Sequence, residues 1–279
     1  MRRSKLTSGE RLRRQGQVSL TQGEGDKRDI ANLIVIGASA GGYQALVEIL
    51  KNFSADMPAA IMILLHAPLG RPHSLKESLG RYSRLPIVEL ENREPLRQGF
   101  IFVPPPGRSA IISHGVITVE PGIPNQPVST INRLFTSAAQ GYSERVIGVI
   151  LTGLLRDGTE GLRAVHEAGG LTMVQDPREA EYEDMPSNAM EGLPVTFCLN
   201  VAEIGSALEL LVRRTARFET GLAVAVRTLR DRAALLVRLI DQSSRNPGTR
   251  EFLSNELTSL KREVQSIDEL LKASLAKHA

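Results

Sequence analysis

Leu33-Ile34-Val35-Ile36-Gly37-Ala38-Ser39-Ala40-Gly41-Gly42-Tyr43-Gln44-Ala45-Leu46 is the stretch that decides how this chain is read. Its first four residues are apolar and three of them are β-branched, which predicts a strand buried on both faces, as in a parallel sheet. Ala45, Leu46, Ile49 and Leu50 then recur at helical spacing. Between strand and helix, Gly37-Ala38-Ser39-Ala40-Gly41 fits the nucleophile-elbow pattern G-x-S-x-G in its required setting. Such a turn needs residues without Cβ where the backbone reverses closely. It sets the Ser39 hydroxyl at the carboxyl edge of a sheet, beside a helix N-terminus whose free N–H groups favour negative charge. Two plainer readings stay open, a phosphate-cradling loop and a tight turn with no chemistry. A dinucleotide fingerprint is excluded, because Ser39 replaces the middle glycine and the next strand ends in His66 rather than an acid. A P-loop is excluded as well, since no Lys-Ser or Lys-Thr follows.

Outward from this stretch, strand and helix signals alternate. Ala59 to Leu65 predicts a second buried strand ending at His66-Ala67-Pro68, and Ser74 to Leu79 a short helix. Between Pro86 and Val119 the pattern turns to short β pieces (Ile87–Glu89, Phe100–Val103, Ala110–Ile112, Val116–Val119). His114-Gly115 reads there as a hairpin turn. This β insertion is expected at the sheet edge. Prolines punctuate residues 121–127, and Ser129 is expected to cap a helix over Thr130–Ala139. Val146 to Leu151 predicts the next central strand, running through Thr152-Gly153-Leu154-Leu155-Arg156-Asp157-Gly158 into a helix from Thr159 to Ala168. Leu171–Val174 and Val195–Leu199 complete the strands, with Met185-Pro186 opening a short helix and Val201–Val212 a last one. The pattern predicts an α/β fold: a doubly wound, mostly parallel sheet with helices on both faces and a small β insertion.

From Gly221 the character changes. Leu222, Val226, Leu229, Ala233, Leu236 and Ile240 follow heptad spacing, and Leu253, Leu257, Leu260, Val264, Ile267 and Leu271 repeat it. Joined through Ser243–Gly248, they predict an αα-hairpin that packs on itself. A homodimer or a partner helix on the same seam is a further expectation. The domain reading is therefore a basic disordered tail at 1–29, an α/β unit at 30–215 and a helical hairpin at 216–279.

The 279 residues carry 42% hydrophobic and 23% charged residues, an ordinary globular composition. The net charge of +3 invites a nucleic-acid reading. However, residues 1–30 hold eight Lys or Arg against four acids, so the remainder is close to neutral. With 4% aromatics and no Trp there is little for bases to stack on, so no nucleic-acid partner is expected. No apolar run reaches ~18 residues and the basic N-terminus lacks an apolar h-region, so neither membrane insertion nor secretion is expected. The single cysteine, Cys198, excludes an intrachain disulfide and fits a cytoplasmic location. Its place in Val195-Thr196-Phe197-Cys198 predicts a buried core thiol. The five histidines form no metal-ligand spacing, and neither metal nor cofactor is expected.

Three predicted strands thus deliver Ser39, His66 and Asp157 to the edge where α/β folds gather ligands. Singly, His66 is a structural histidine and Asp157 a helix N-cap. Together the three suit acyl transfer, with Ser39 attacking, His66 relaying its proton and Asp157 orienting the imidazole. Ala40, Leu154, Arg156 and Met185 are the candidates for oxyanion hole and substrate pocket. The order Ser…His…Asp sets the chain apart from α/β-hydrolases.

These blocks resemble the chemotaxis protein-glutamate methylesterases (CheB type) over roughly residues 31–212. The resemblance rests on Val35–Gly42, Leu65–Pro68, Val149–Gly158, and Gln175-Asp176 with Met185-Pro186. It implies that Ser39, His66 and Asp157 hydrolyse glutamyl methyl esters on a chemoreceptor or other signalling protein, releasing methanol. Deamidation of certain receptor glutamines is implied as a related activity. The chain departs from the family at Ala40, where a Thr is usual, and at Leu155 and Arg156, where small residues are usual. A loop Arg is also missing, since residues 125–130 read Asn-Gln-Pro-Val-Ser-Thr. No receiver domain is expected within the ~30 residues before Ile30. A catalytically silent, partner-binding module, its pocket closed by Leu155 and Arg156, is the competing reading. Nucleotide or phosphate binding at Gly37–Gly42 is a third.

Overall fold

A computed structural model describes residues 30–66, 74–121, 129–242 and 247–276. The expected basic tail, Ala67-Pro68, Asn125–Val128 and the turn at 243–246 lie outside the described residues, as do the side chains of Leu222, Val226 and Leu271. The elements run β1 (Leu33–Ala38), α1 (Gly42–Leu50), β2 (Ala60–Leu65), α2 (Leu75–Leu79), β3 (Ile87–Glu89), β4 (Arg93–Pro95), β5 (Ile101–Val103), β6 (Arg108–Ser113) and β7 (Val116–Pro121). They continue with α3 (Thr130–Tyr142), β8 (Val146–Ile150), α4 (Thr159–Glu167), β9 (Leu171–Gln175), α5 (Asp184–Met190), β10 (Phe197–Leu199), α6 (Val201–Gln242) and α7 (Pro247–Ala276).

The main sheet has seven strands in the order β10-β9-β8-β1-β2-β5-β3, and every pairing in it is parallel. Strand periodicity builds its two faces. Leu33 and Val35 point with Ala60, Met62 and Leu64 toward α3, α4 and α5. Ile34, Ile36 and Ala38 point with Ile61 and Ile63 toward α1 and the first turns of α6, where Ile204, Leu208 and Val212 are buried. The chain leaves β1 toward β2 on one side and later fills β8, β9 and β10 on the other. That reversal opens a crevice at the carboxyl ends of β1, β2 and β8.

The β insertion is smaller than the sequence pattern suggests. β5 is fully buried and pairs with β2, so it and β3 extend the parallel sheet. Only β6, β7 and the short β4, which the residue pattern does not reveal, form the separate antiparallel sheet, in the order β4-β7-β6. His114 and Gly115 close the β6–β7 hairpin with φ of 49° and 77°, the paired positive angles of a type I′ turn.

Three further expectations are corrected. α6 is one 42-residue helix, running straight through the residues 213–220 that the pattern leaves between two helices. Gly221 costs an interior helix only ~1 kcal/mol, too little to break so long an element. Pro247 and Gly248 open α7 instead of forming the turn, and α7 packs against α6 with Leu236 and Leu260 buried. Cys198 is exposed. β10 is an edge strand, so while Phe197 and Leu199 face the core, the alternate residue between them faces out.

Candidate active site

The β1–β2 register pairs Ala38 with Leu65, and the ladder continues one step as His66 N–H donates to Ala38 O at 2.9 Å. Ser39 and His66 therefore leave neighbouring strands on the same face, the one α3 covers. Strands pair ~4.8 Å apart, so residues far apart in sequence become side-by-side neighbours. Ser39 is tied to the third strand, its N–H donating to Thr152 O at 3.1 Å just past β8.

The turn after Ser39 differs from a strained elbow. Among the described residues the non-glycine positive φ angles belong to His114, Ser143 and Leu155, so Ser39 is unstrained. The left-handed angle falls on Gly41, at φ 73°. Gly37 answers to packing instead, since a Cβ there would run into Ile131 of α3.

Asp157 is 2% exposed and surrounded by donors. Oδ1 accepts from Asn132 N–H at 3.1 Å and Gly158 N–H at 2.9 Å. Oδ2 accepts from Ile131 N–H at 2.9 Å and the Thr130 hydroxyl at 3.3 Å, and lies 3.2 Å from His66 Nε2. The carboxylate thus sits on the N-terminus of α3, where the helix dipole favours negative charge. It is an N-cap, although for α3 and not for the helix that follows it in sequence. The sequence predicts Ser129 in that role, yet its hydroxyl makes no capping bond. Asn132 returns the arrangement, its Oδ1 accepting from Gly158 N–H at 3.1 Å and Gly161 N–H at 2.7 Å at the start of α4. Each helix is capped by a side chain from the other segment.

Thr130 is a site residue the sequence reading passed over. Its Oγ1 lies 2.6 Å from His66 Nε2. With its proton given to Asp157, the hydroxyl oxygen accepts from Nε2–H, as does the carboxylate. Two acceptors at one ring nitrogen place the proton on Nε2 and leave the Nδ1 lone pair free. The available signal was a Ser-Thr pair opening a helix, which reads as a cap and gives no hint of a histidine partner.

The remaining candidates divide. Ala40 follows Ser39 in the chain, Leu154 follows Gly153, on which a Cβ would crowd that of Ser39, and neither N–H has a hydrogen-bond partner among the described residues. Met185 is fully buried beneath the site, its N–H donating to Gly153 O at 3.0 Å and its side chain filling the space a Cβ on Gly153 would need. It forms the floor and does not line a pocket. Arg156 is exposed, Leu155 is 58% exposed, and neither side chain is packed into the cleft. Leu155 stands at φ 66°, a left-handed angle costing a residue with a side chain ~1 kcal/mol or more. Asp184 Oδ2 accepts from its N–H at 3.2 Å and Asn188 Nδ2 donates to its carbonyl at 2.9 Å. Among the described residues, no group of His, Cys, Asp and Glu has the arrangement of a metal site. No described helix is long and apolar enough to cross a membrane.

Beside the site, the Arg178 guanidinium grips Asp176 through Nε at 3.0 Å and holds its carboxyl down at about 2. Partial burial and the nearby Asp176 charge push the Cys198 thiol above its ordinary range.

Comparison with known proteins gives this arrangement a context. A protein-glutamate methylesterase/protein-glutamine glutaminase of Anaeromyxobacter dehalogenans is 39% identical over 185 residues, spanning 65% of this chain and 53% of the relative. A protein of Leptospira interrogans, provisionally given the same name, is 33% identical over 183 residues, covering 64% of this chain and 93% of its own. The chain thus spans about half the length of the first relative and nearly all of the second. The crystal structure of the Thermotoga maritima CheB methylesterase catalytic domain superposes with a TM-score of 0.58 at 28% identity, covering 64% of this chain and 98% of that domain. The sequence profile described as CheB methylesterase matches residues 34–208, from β1 into α6. By that match, which takes in more than half of its length, this chain belongs to the CheB methylesterase family.

Proposed function

We propose that the chain is a protein-glutamate methylesterase in which Ser39 is the nucleophile, His66 the base and Asp157 the residue that orients it. The observation that carries the reading is the pinned imidazole. His66 has Nε2 against buried Asp157 and Thr130, beside Ser39 on the adjoining strand.

In this reading Ser39 Oγ attacks the carbonyl carbon of a glutamyl methyl ester while its proton passes to His66 Nδ1. The Nε2–H stays with Asp157, which stabilises the imidazolium. The oxyanion of the tetrahedral intermediate is received by the free N–H groups of Ala40 and Leu154, each donor worth ~3 kcal/mol in comparable hydrolases. Collapse expels methoxide, protonated from Nδ1 to methanol. Water, activated by the same nitrogen, then cleaves the acyl-serine and leaves a glutamate carboxylate. A glutamine amide follows the same path with ammonia leaving. The substrate is a methylated chemoreceptor or signalling protein, the enzyme works in the cytoplasm, and residues 30–215 form the hydrolytic unit.

Ser39→Ala tests the proposal. It should stop methanol release from a methylated receptor and abolish labelling by a fluorophosphonate, while the far-UV spectrum is unchanged. Undiminished release would refute it, and a wild-type protein that fails to label would point to a silent binding module.

A further inference from the structure

Seven large apolar side chains are exposed among the described residues, and four of them, Leu154, Leu155, Tyr182 and Met190, lie on the two segments that frame Ser39. Those segments are stitched together. Gly153 N–H donates to Tyr182 O at 3.0 Å, and Leu155 is held at both its N–H and its carbonyl by Asp184 and Asn188. The bonds keep Leu155 at an angle that a leucine disfavours, with its side chain turned to solvent. Strain maintained by dedicated hydrogen bonds, serving only to expose an apolar side chain, has no folding rationale. It belongs with the strain that collects at ligand clamps. The second segment is also strongly acidic, with five carboxylates and one arginine from Arg178 to Glu191. Glu181 and Glu183 are exposed there, and the Glu181 carboxylate lies close enough to Gly41 to crowd a Cβ placed on it.

We infer that Leu154 and Leu155, with Tyr182, form a ledge that docks the segment carrying the scissile glutamyl side chain. That segment presents apolar side chains to the ledge and Lys or Arg to Glu181 and Glu183. This rests on the hydrolase reading for the identity of the reacting group. Apolar contact supplies the affinity and the acidic rim selects the partner and hastens encounter. The charge pattern also serves turnover. Hydrolysis converts a neutral ester into a carboxylate beside two carboxylates, which weakens the hold on product.

The test uses two fluorescein-labelled peptides, each with one central glutamyl γ-methyl ester, flanked in one by Leu and Lys and in the other by Ser and Glu. Their binding to the full chain carrying Ser39→Ala is read by anisotropy, so affinity is measured without turnover. The Leu/Lys peptide should bind about tenfold more tightly or better, and raising the salt should shrink the gap. Adding Leu155→Asn, a residue that tolerates the left-handed angle, should cut the preference to about threefold or less. Equal affinity of the two peptides, or a preference unmoved by Leu155→Asn, overturns the inference. Methanol release by the protein with Ser39 intact is scored separately. If neither ester is cleaved while the binding preference stands, the hydrolase reading fails and the docking surface survives.

Discussion

Replacing Asp157 with Asn keeps the shape of the side chain and removes one of its two acceptor oxygens, and the structure fixes what that costs. Oδ1 serves the N–H groups of Asn132 and Gly158, and Oδ2 serves Ile131 N–H, the Thr130 hydroxyl and His66 Nε2. An amide nitrogen placed at Oδ1 confronts two backbone donors with no freedom to turn. Placed at Oδ2 it meets one such donor, Ile131, because the hydroxyl can rotate and the imidazole can change tautomer. The second orientation is therefore taken. It leaves Ile131 N–H buried and unpaired, at ~1–3 kcal/mol, and removes the negative charge from the α3 terminus, at ~1 kcal/mol. Together these cost ~2–4 kcal/mol, or a fall in Tm of ~5–15 °C in a domain of this size. The same orientation makes His66 accept at Nε2 and carry its proton on Nδ1, the tautomer that cannot take a proton from Ser39. Labelling by a fluorophosphonate should drop by ~10⁴-fold, as in other serine hydrolases given an Asn at this place. Calorimetry and labelling rates on one preparation check both halves. A Tm within ~2 °C of wild type would refute the helix-capping role, and wild-type labelling would refute the orienting role.

Thr130→Val, which keeps the buried volume and removes the hydroxyl 2.6 Å from His66 Nε2, should lower kcat ~10- to 30-fold with KM unchanged, and Thr130→Ser should restore it. An equal loss in both variants would show that only packing matters. Leu155→Gly relieves ~1 kcal/mol of left-handed strain against ~0.5 kcal/mol of added chain entropy, so Tm should rise by ~1–2 °C. A lower Tm would mean that Leu155 is not strained. Asp176, held at about 2 mainly by its hydrogen bonds to Arg178, has a depressed carboxyl. Its contribution to stability is complete above its unfolded value of ~4 and is lost as the pH falls toward 2. Arg178→Ala should therefore flatten the fall in Tm between those two pH values, and an unchanged profile would remove Asp176 from the account.

The parallel sheet, and the strand ends on which the three proposed site residues follow, could be read from sequence for one reason: local periodicity carries them. Apolar runs ending at Gly37 and at Leu65 announce buried strands, and whatever follows a buried parallel strand lies at the carboxyl edge. What sequence did not carry depends on where an element sits among others. Phe197-Cys198-Leu199 looks the same in a central and an edge strand, and only the edge exposes Cys198. Ile101-Phe102-Val103 looks like one more insertion strand until β2 is seen to lack a partner on that side. Gly221 marks a break in propensity, but the coupling of α7 to α6 outweighs a penalty that small.

The capping exchange is the deepest of these cases, because it explains why the proposed chemistry sits here. Asp157 follows β8 and starts a helix, so its nearest vacant N–H groups in sequence are those of α4. It turns instead to α3, which crosses β1 closely enough to need glycine at Gly37, where any Cβ would run into Ile131. That approach puts the first turn of α3 directly over His66, and one turn supplies Thr130 to the imidazole and Ile131 and Asn132 to the carboxylate. Asn132 closes the exchange on α4, so neither helix can shift without uncapping the other. An anion that is buried, charged and immobile is costly to build, and here the helix that needs a cap meets that cost. The group holding α3 in place is the group that orders the imidazole, so mutations that loosen α3 should disorder His66 before they unfold the sheet. Hydrogen exchange at Ile131 and Asn132 would then rise together with the loss of labelling at Ser39, and independent behaviour of the two would break the link.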